Sequence, residues 1–271
     1  MTTLQYMKIA IIGAGNMGGA VARGLAKGNA INTSDIYVSN PSTAKLEALK
    51  AEFSQINIST NNCEVASAAD IVVLAVKPWK VAEVVEEIKP VIDYSRQSVA
   101  SMVGGLSIAQ LSAWLDKGDG VLPATYIIIP NTAIATMSSM TFISSARSTK
   151  EQDDSLCEVF NELGEAMLIE ENVMPAATSL ASCGIAYALR YIRAAMEGGV
   201  ELGFRADDAQ HIVMQTLRGA VDILEANNSH PEAEIDRVTT PGGLTIKGLN
   251  AMEATGFTHS VIEGLRASTK R

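Results

Sequence analysis

The sequence predicts a doubly wound α/β domain built on a mostly parallel sheet, followed by an all-helical domain. Short apolar runs alternate with amphipathic stretches up to about residue 171, which is the pattern of successive βα units. A glycine-rich turn follows the first apolar run, and long helical periodicity replaces the strand-like runs after residue 171. We therefore expect two domains, residues 1–171 and residues 172–271.

The composition is that of a folded chain with ample apolar material for its cores. Of the 271 residues, 47% are hydrophobic, and the formal net charge is −9. A nucleic-acid surface needs clustered Lys and Arg, so we expect no nucleic-acid partner. The apolar runs fall short of the roughly 18 to 20 residues of a membrane span, and the first run lacks the layout of a signal peptide. We expect no membrane association and a cytoplasmic location.

The cysteines and histidines are too scattered to indicate a metal site. The three thiols have no C-x-x-C spacing and fit a reducing compartment better than a disulfide framework. Each histidine is interpreted as a surface or packing residue, and we expect no bound metal. The residues concerned are Cys63, Cys157, Cys183, His211, His230 and His259.

The first βα unit carries the strongest local signal for a bound ligand. The stretch MKIAIIGAGNMGGAVARGLAKG predicts a strand over residues 7–12, a Gly13-x-Gly15-x-x-Gly18 turn and a helix. In such a turn the first glycine permits the tight bend, the second admits a pyrophosphate to the backbone, and the third allows close strand–helix packing. The pattern predicts a Rossmann-type dinucleotide site, with a purely structural glycine-rich turn as the alternative.

The second βα unit indicates which dinucleotide is bound. An NAD-type site needs a carboxylate at the end of the second strand to bind the ribose 2′-hydroxyl. The strand DIYVSN ends instead in Ser39 and Asn40, and the following PSTAK offers hydroxyls, helix amides and Lys45 to a 2′-phosphate. We expect NADP(H), with NAD(H) left open. In the alternative interpretation, Asn40, Pro41 and Ser42 only turn the chain and cap the next helix.

Further βα units extend the sheet and complete the expected cofactor site. Strands are predicted before the break at Lys77 and Pro78, at the start of SVASMVGGLSIAQLSAWL, in ATYIIIPN and after the helix stop at Gly164. Ligands of doubly wound sheets lie at the carboxyl ends of the strands. The expected cofactor-binding residues are Gly13, Ala14, Gly15, Asn16, Met17, Gly18, Ser39, Asn40, Asn62, Ala75, Val76, Lys77, Pro78, Met102, Val103 and Gly104.

The helical domain is dominated by two long apolar stretches. The stretch from Val173 to Gly203 is small and apolar on most sides, and the next carries an apolar stripe from Ala209 to Leu224. A helix that is apolar on most sides is usually buried between neighbours. We therefore expect a homodimer or higher homo-oligomer, in which another subunit covers these helices, with packing inside one chain as the alternative.

A Pro-Gly-Gly turn precedes an amphipathic helix near the end of the chain, in VTTPGGLTIKGLNAMEATGF, residues 238–257. One interpretation is a helix cap, with Thr240 as the N-cap and Pro241 as the first helical residue. The other is an anion site, because a glycine pair entering a helix exposes backbone N–H groups to a close ligand.

The sequence resembles the pyrroline-5-carboxylate reductases over essentially its full length. The motifs that carry the resemblance are IIGAGNMGGAVARGL, AVKP at 75–78, SIAQL at 107–111, PNT at 130–132, GGVELGF at 198–204, QTLRGAVDIL at 215–224 and, above all, VTTPGGLTIKGLNAMEATGF. The resemblance implies a Rossmann-type domain and a helical dimerisation domain that completes the active site across subunits. It also implies NAD(P)H-dependent reduction of a small substrate, 1-pyrroline-5-carboxylate, to proline.

The resemblance also assigns residues to the substrate. It implies that the Thr245 hydroxyl binds the imine nitrogen and that Thr240 orders the loop around it. Glu171 matches an acid near the substrate in the family, with a carboxylate at a helix N-terminus as the alternative. The expected catalytic residues are Thr245 and Thr240, and the expected substrate-binding residues are Glu171, Arg237, Gly242, Gly243, Leu244 and Thr245.

Two departures from the family pattern leave alternatives open. The family has Gly-Ser-Gly-Pro-Ala-Tyr where this chain has residues 182–187, SCGIAY, and Pro-Asn-Thr-Pro where it has Ala133. A divergent NADP-dependent imine reductase and a non-catalytic NADP-binding protein are both compatible with these changes. A β-hydroxyacid dehydrogenase needs a helix-borne lysine, and the stretch from Val173 to Gly203 contains none.

Overall fold

The computed structural model describes residues 7–269, which divide into two compact units. The first unit extends to Ser182 and the second begins at Cys183. This division comes later in the chain than the domain boundary expected after residue 171. Residues between the two points pack on the first unit, because Met174 is buried in its core and Ser182 Oγ donates to the carbonyl of Pro130 at 3.3 Å.

An eight-stranded sheet forms the centre of the first unit, in the order β3-β2-β1-β4-β5-β6-β7-β8. The strands from β1 to β6 are parallel, β7 is antiparallel to β6, and β8 is parallel to β7. The doubly wound fold predicted from the sequence is confirmed. The strands are β1 (Ile9–Ile12), β2 (Ile36–Ser39), β3 (Asn57–Ser59), β4 (Ile71–Leu74), β5 (Ser98–Ser101), β6 (Thr125–Ile129), β7 (Ser139–Ala146) and β8 (Gly164–Leu168).

Helices cover both faces of this sheet and create two separate apolar cores. The helices are α1 (Asn16–Lys27), α2 (Thr43–Glu52), α3 (Asn62–Ala68), α4 (Val81–Ile88), α5 (Ile108–Leu115), α6 (Lys150–Asn161) and α7 (Met174–Ala177). One core joins the sheet to α1, α2 and α6, and the other joins it to α3, α4 and α5. Short 3₁₀ helices span Thr33–Asp35, Pro78–Lys80, Lys89–Val91, Thr132–Thr136 and Glu171–Val173.

The short strand β3 and the antiparallel strand β7 are the two strands that were not predicted from the sequence. The chain reverses directly after β6, through the 3₁₀ helix Thr132–Thr136 and Met137 in the left-handed conformation at φ +57°. So short a connection cannot contain a crossover helix, and it therefore joins antiparallel strands. The parallel pattern resumes with α6 and β8.

The second unit is helical, and almost all of its described residues are at least partly exposed to solvent. Its helices are α8 (Gly184–Glu201), α9 (Ala206–Asn227), α10 (Pro231–Arg237), α11 (Leu244–Ala254) and α12 (Phe257–Ala267). Among residues 183–269, only Ala209 is buried. The helix expected from Val173 to Gly203 is interrupted by a π-helix over Thr178–Cys183, which precedes α8. Within residues 7–269, no helix combines the length and apolarity that a bilayer span requires.

Candidate dinucleotide and substrate sites

A Cβ atom would have different surroundings at each of the three glycines of the Gly-rich turn. Gly13 has φ +108°, and a Cβ there would lie 2.6 Å from the carbonyl oxygen of Ala75. A Cβ on Gly18 would lie 2.0 Å from the carbonyl oxygen of Gly13, so this glycine brings α1 against β1. A Cβ on Gly15 would meet no atom within 4 Å. Gly15 is also the N-cap of α1 and makes no side-chain cap, so the first amides of the helix face open space and fit an anion.

The end of β2 is hydrogen-bonded to this turn through both of its polar residues. The amide of Gly13 donates to the carbonyl of Ser39 at 2.8 Å, and the amide of Ala14 donates to Asn40 Oδ1 at 3.0 Å. Asn40 Nδ2 donates in turn to the carbonyl of Ser42 at 3.2 Å. Asn40 therefore holds the Gly-rich turn against the start of α2.

A further chain of hydrogen bonds leads from β2 to α4. The hydroxyl of the fully buried Ser39 donates to Asn62 Oδ1 at 2.7 Å, and Asn62 Nδ2 donates to Glu87 Oε2 at 2.8 Å. The thiol of Cys63 donates to the carbonyl of Glu87 at 3.2 Å. Burial raises the pKa of this thiol, and the charge of Glu87 raises it further, so the thiol keeps the proton that it donates. Glu87 was not predicted as a site residue, because nothing local in the sequence links it to a residue 25 positions earlier.

A cavity of about 530 Å³ lies beside the Gly-rich turn, and basic side chains line part of it. Its lining includes Ala14 and Gly15 from the turn and Lys45 from α2. Arg23 also lines it and forms an ion pair with Glu52 at 2.7 Å. Lys45 has no ion-pair partner within the described part of the chain, so its charge is available to an anion at this edge of the sheet.

The other predicted cofactor-binding residues of the first unit lie at the carboxyl ends of neighbouring strands. The amide of Ala75 donates to the carbonyl of Ile12, and the amide of Met102 donates to the carbonyl of Leu74, at 2.8 and 2.9 Å. These bonds continue the sheet ladder past β4 and β5. The residues placed at the ends of β1, β4 and β5 are Asn16, Met17, Ala75, Val76, Lys77, Pro78, Met102, Val103 and Gly104. Within residues 7–269, no group of His, Cys, Asp and Glu side chains could hold a metal ion.

Glu171 binds a helix N-terminus in the first unit. Its Oε1 accepts a hydrogen bond of 2.6 Å from the amide of Ile108, the first residue of α5. A carboxylate at this position also interacts favourably with the helix dipole. This is the alternative that the sequence left open, and the bond joins residues 63 positions apart. The substrate-binding role of Glu171 stays a prediction.

The Pro-Gly-Gly stretch in the second unit forms a turn before α11, and Thr240 is not its N-cap. The amide of Gly243 donates to the carbonyl of Thr240 at 2.9 Å, and Gly242 has φ +72°. A proline followed by a residue at positive φ gives a type II turn, so α11 begins only at Leu244, with Gly243 as the N-cap. The capping interpretation of Thr240 and Pro241 was therefore wrong.

The same turn leaves the start of α11 open. Within the described residues, no side chain caps this helix, and Leu244 and Thr245 are both exposed. The open amides and the Thr245 hydroxyl therefore lie together at one helix N-terminus. Such an end binds a carboxylate well, because unpaired N–H groups and the positive end of the helix dipole coincide there.

Arg237 lies at the end of α10, shortly before this turn. It forms an ion pair with Glu234 at 2.5 Å. Hydrogen bonds from the side chains of Ser229, Asn227 and Arg237 hold the pKa of Glu234 below its usual value, so the carboxylate stays charged. Arg237 is thus already neutralised in part, and its substrate-binding role stays a prediction.

Two of the departures from the family pattern lie together in the first unit. The amide of Ala133 donates to Asn131 Oδ1 at 3.0 Å, a bond that a proline at this position could not make. Ser182, in the π-helix, donates to the carbonyl of Pro130 in the same loop. The loop over residues 130–133 is therefore held by side-chain bonds that the family sequence would lack.

Comparisons with known proteins cover both units. The family model described as pyrroline-5-carboxylate reductase dimerisation matches residues 171–271, and the model described as coenzyme F420-dependent NADP oxidoreductase matches residues 8–103. Pyrroline-5-carboxylate reductase 2 of Dictyostelium discoideum is 37% identical, over 97% of this chain and 91% of that protein. Pyrroline-5-carboxylate reductase 1 of the same organism is 36% identical over 97% of this chain, which spans 49% of that protein.

The likeness extends to solved structures. The crystal structure of a Plasmodium falciparum pyrroline carboxylate reductase, solved with NADP bound, is 26% identical in sequence. It matches this fold with a TM-score of 0.86, over 98% of this chain and 97% of that one.

Proposed function

The chain belongs to the pyrroline-5-carboxylate reductase family, and from this premise we propose that it reduces 1-pyrroline-5-carboxylate to L-proline with NADPH. One observation carries the proposal. The Gly-rich turn of the first unit and the open Pro-Gly-Gly turn of the second are both present in a chain that matches a member of the family over 97% of its own length. A cofactor site and an anion site are the two things that reduction of a cyclic imino acid requires.

The first unit holds the dinucleotide at the carboxyl edge of its sheet. The open position at Gly15 and the uncapped amides of α1 receive the pyrophosphate. Asn40 keeps the turn in shape through its bond to the amide of Ala14. Bound NADPH supplies the hydride. The residues of the chain therefore orient the reactants and stabilise charge, and no metal or lysine acid is needed.

The end of β2 favours NADPH over NADH. Ser39 and Asn40 stand where an NAD-type site has a carboxylate, so the 2′-phosphate meets no negative charge at these two residues. Lys45 lines the cavity beside the turn and supplies a positive charge. The cofactor is thus NADP(H), with NADH as the poorer donor.

The second unit holds the substrate. Its carboxylate binds the open amides at the start of α11, where Gly242, Gly243 and Leu244 allow close approach. The Thr245 hydroxyl binds the imine nitrogen and keeps the ring in its protonated form. Thr240 supports this arrangement through its carbonyl, which holds the turn. Arg237, at the end of α10, adds a positive charge for the substrate carboxylate.

A homodimer or higher homo-oligomer is the working form of the enzyme. Many large apolar side chains of the second unit are exposed, and a stable monomer rarely leaves so much apolar surface in water. The match to a dimerisation family supports the same conclusion. We place the reaction in the cytoplasm, because Cys63, Cys157 and Cys183 are all free thiols, which fits a reducing compartment.

A kinetic assay of the purified protein tests the proposal. The loss of NADPH absorbance is followed with 1-pyrroline-5-carboxylate and with a panel of other cyclic imines. With 3-hydroxy acids and NADP⁺, the gain of NADPH absorbance is followed instead. We expect the highest kcat/KM with 1-pyrroline-5-carboxylate. Turnover of 3-hydroxy acids alone would instead identify a β-hydroxyacid dehydrogenase, and NADP(H) binding without turnover would identify a binding protein.

Reduction of another cyclic imine is the second candidate, and the departures at Ala133 and Ser182 favour it. Both residues make bonds to the loop over residues 130–133 that differ from those of the family pattern. A ring of different size, or one without a carboxylate, would then give the highest kcat/KM in the same panel. The variant Ala133→Pro would shift that preference back toward 1-pyrroline-5-carboxylate.

A further inference from the structure

The series of hydrogen-bonded side chains from β2 to α4 includes Glu87, which has no role in the proposed reaction. Ser39 donates to Asn62 Oδ1 and Asn62 Nδ2 donates to Glu87 Oε2, at 2.7 and 2.8 Å. Glu87 itself is exposed on α4. The bond from the Cys63 thiol to the carbonyl of Glu87 holds the last turn of α4 against the first turn of α3. The carboxylate is thus placed beside Asn62 by two separate bonds.

Glu87 determines the direction of the hydrogen bonds that join Ser39, Asn62 and Glu87. A carboxylate only accepts hydrogen bonds, so the Asn62 amide must turn Nδ2 toward α4 and Oδ1 toward Ser39. Ser39 alone would not enforce this orientation, because a hydroxyl can donate or accept. In the enforced orientation the amide keeps one N–H and one lone pair of Oδ1 for a further partner.

The free N–H of Asn62 lies at the part of the sheet where a doubly wound fold binds the adenosine half of a dinucleotide. β2 and β3 lie beside β1 on the side opposite β4, and the end of the second strand is where a doubly wound fold binds the adenosine ribose. The bond from the amide of Gly13 to the carbonyl of Ser39 ties this group to the Gly-rich turn. An N–H fixed at this point fits an oxygen of a ribose 2′-phosphate.

We propose that Glu87 is a positioning residue for the adenosine half of NADP(H), which fixes the Asn62 amide so that its free N–H points to the 2′-phosphate. This inference rests on the proposed cofactor role of Asn62. Without Glu87 the Asn62 side chain loses its fixed acceptor, so the amide both turns over and rotates away from the site, and the affinity for the cofactor falls in proportion to the fraction of molecules in the competent orientation.

Two substitutions separate positioning from charge. Glu87→Ala removes the acceptor, and we expect it to weaken NADP⁺ binding about fivefold, the factor that corresponds to roughly 1 kcal/mol. Glu87→Gln keeps the shape, but its amide can accept or donate, so two orientations of Asn62 become equivalent. We expect this variant to weaken binding only about twofold.

Isothermal titration of the ligand-free full chain with NADP⁺ and with 2′,5′-ADP tests the inference. Both ligands carry the 2′-phosphate, so both should show the same order: wild type, then Glu87→Gln, then Glu87→Ala. Glu86→Ala is the matched control, because Glu86 is an exposed carboxylate on the same turn and pairs with Lys89 instead. It should bind like the wild type, and all three variants should keep the wild-type melting temperature.

Several results would overturn the inference. Unchanged or tighter binding by Glu87→Ala would mean that the carboxylate does not position the amide. Equal losses in Glu87→Gln and Glu87→Ala would mean that an acceptor at this position does not set the orientation of the amide. Wild-type affinity in Asn62→Ala would remove the cofactor role of the amide and the inference with it. A wild-type protein that binds neither ligand would refute the proposed function itself.

Discussion

Asn40 illustrates how single side chains determine which cofactor this site can bind. Its Oδ1 accepts the bond from the amide of Ala14, so the residue shapes the Gly-rich turn, and it lies at the end of β2, where we propose that the ribose binds. Ser39, its neighbour, is fully buried and bonded to Asn62. A charge introduced at Ser39 would disrupt the interior, whereas a charge at Asn40 would face the cofactor. Cofactor selectivity is therefore best tested at Asn40.

We expect Asn40→Asp to shift the enzyme from NADPH toward NADH. The carboxylate still accepts the bond from Ala14, but it repels the 2′-phosphate; two like charges 4 Å apart near a protein surface repel by about 4 kcal/mol before screening. Steady-state kinetics should show kcat/KM for NADPH reduced by about tenfold or more, with the value for NADH retained. Asn228→Asp, the same change at an exposed residue after α9, is the control. Equal losses with both cofactors in Asn40→Asp would refute the selectivity role.

Thr245 is the residue on which the proposed proton chemistry depends. It is exposed in the first turn of α11, so its replacement by alanine should leave the fold intact. We expect Thr245→Ala to lower kcat/KM by roughly 30- to 200-fold, which corresponds to about 2 to 3 kcal/mol of transition-state stabilisation. Thr240→Ala should lose much less, because the turn uses the Thr240 carbonyl, which alanine retains.

Two further variants and thermal melts complete this test. Thr245→Ser should recover most of the activity, because it restores the hydroxyl. Thr255→Ala, which removes a hydroxyl at the other end of α11, should behave like the wild type. A Thr245→Ala enzyme with nearly normal kcat/KM would make this hydroxyl structural and leave proton delivery to solvent.

The sequence indicates residue types at this scale, but it does not indicate long-range partners. The absence of an acid at Ser39 and Asn40 is visible in the sequence, because the end of the second strand has a known position in the fold. The bonds of Glu171 to Ile108 and of Asn62 to Glu87 are not visible, since they join residues 63 and 25 positions apart. Such bonds depend on how helices pack over the sheet, which local patterns do not encode.

At the scale of elements, the first strand–turn–helix unit combines packing and binding in three glycines. Gly18 is needed for packing, because a Cβ there would lie 2.0 Å from the backbone of Gly13 and 2.8 Å from Ala75 Cβ. Gly15 has room for a Cβ and an ordinary φ of −72°, so packing alone does not require a glycine there. A glycine that the fold does not need is best explained by the ligand that approaches it.

Gly15→Ala and Gly18→Ala should therefore fail in different ways. We expect Gly15→Ala to melt like the wild type but to bind NADP⁺ more than about tenfold more weakly, because the new methyl occupies the pyrophosphate site. Gly18→Ala should lose about 1 to 3 kcal/mol of folding stability as well, because α1 must move away from β1. Thermal melts and titration with NADP⁺ measure both effects. A Gly15→Ala protein that binds normally would indicate a structural turn.

Most elements of the first unit follow from hydrophobic patterns, whereas β3, β7 and the start of α11 in the second unit do not. Buried runs such as Ile71–Leu74 are apolar throughout, as parallel strands require, and their alternation with helices predicts the doubly wound sheet. β7 escaped prediction because a short 3₁₀ turn, and no helix, precedes it. The start of α11 was placed too early, because Thr-Pro also begins many helices, while Gly242 at φ +72° diverts the chain into a type II turn.

At the scale of the whole molecule, the two units bury apolar surface to very different extents. The sheet of the first unit is covered on both faces by its own helices. The second unit has Ala209 as its only buried residue among residues 183–269, while Leu189, Val221 and Phe257 remain 59%, 53% and 42% exposed. The sequence predicted this outcome, because its helices are apolar on more sides than one chain can cover.

We expect the protein to be at least a dimer in solution, held together by the helices of the second unit. Light scattering at micromolar concentration should give a mass of two or more chains. Leu189→Asp should dissociate the assembly and abolish activity, because it places a charge on the apolar face of α8. Val121→Asp, in a loop of the first unit where the native side chain is 51% exposed, should change neither mass nor activity. A stable, active monomer of the wild-type chain would refute both the covering of these helices by a second copy and a substrate site shared between subunits.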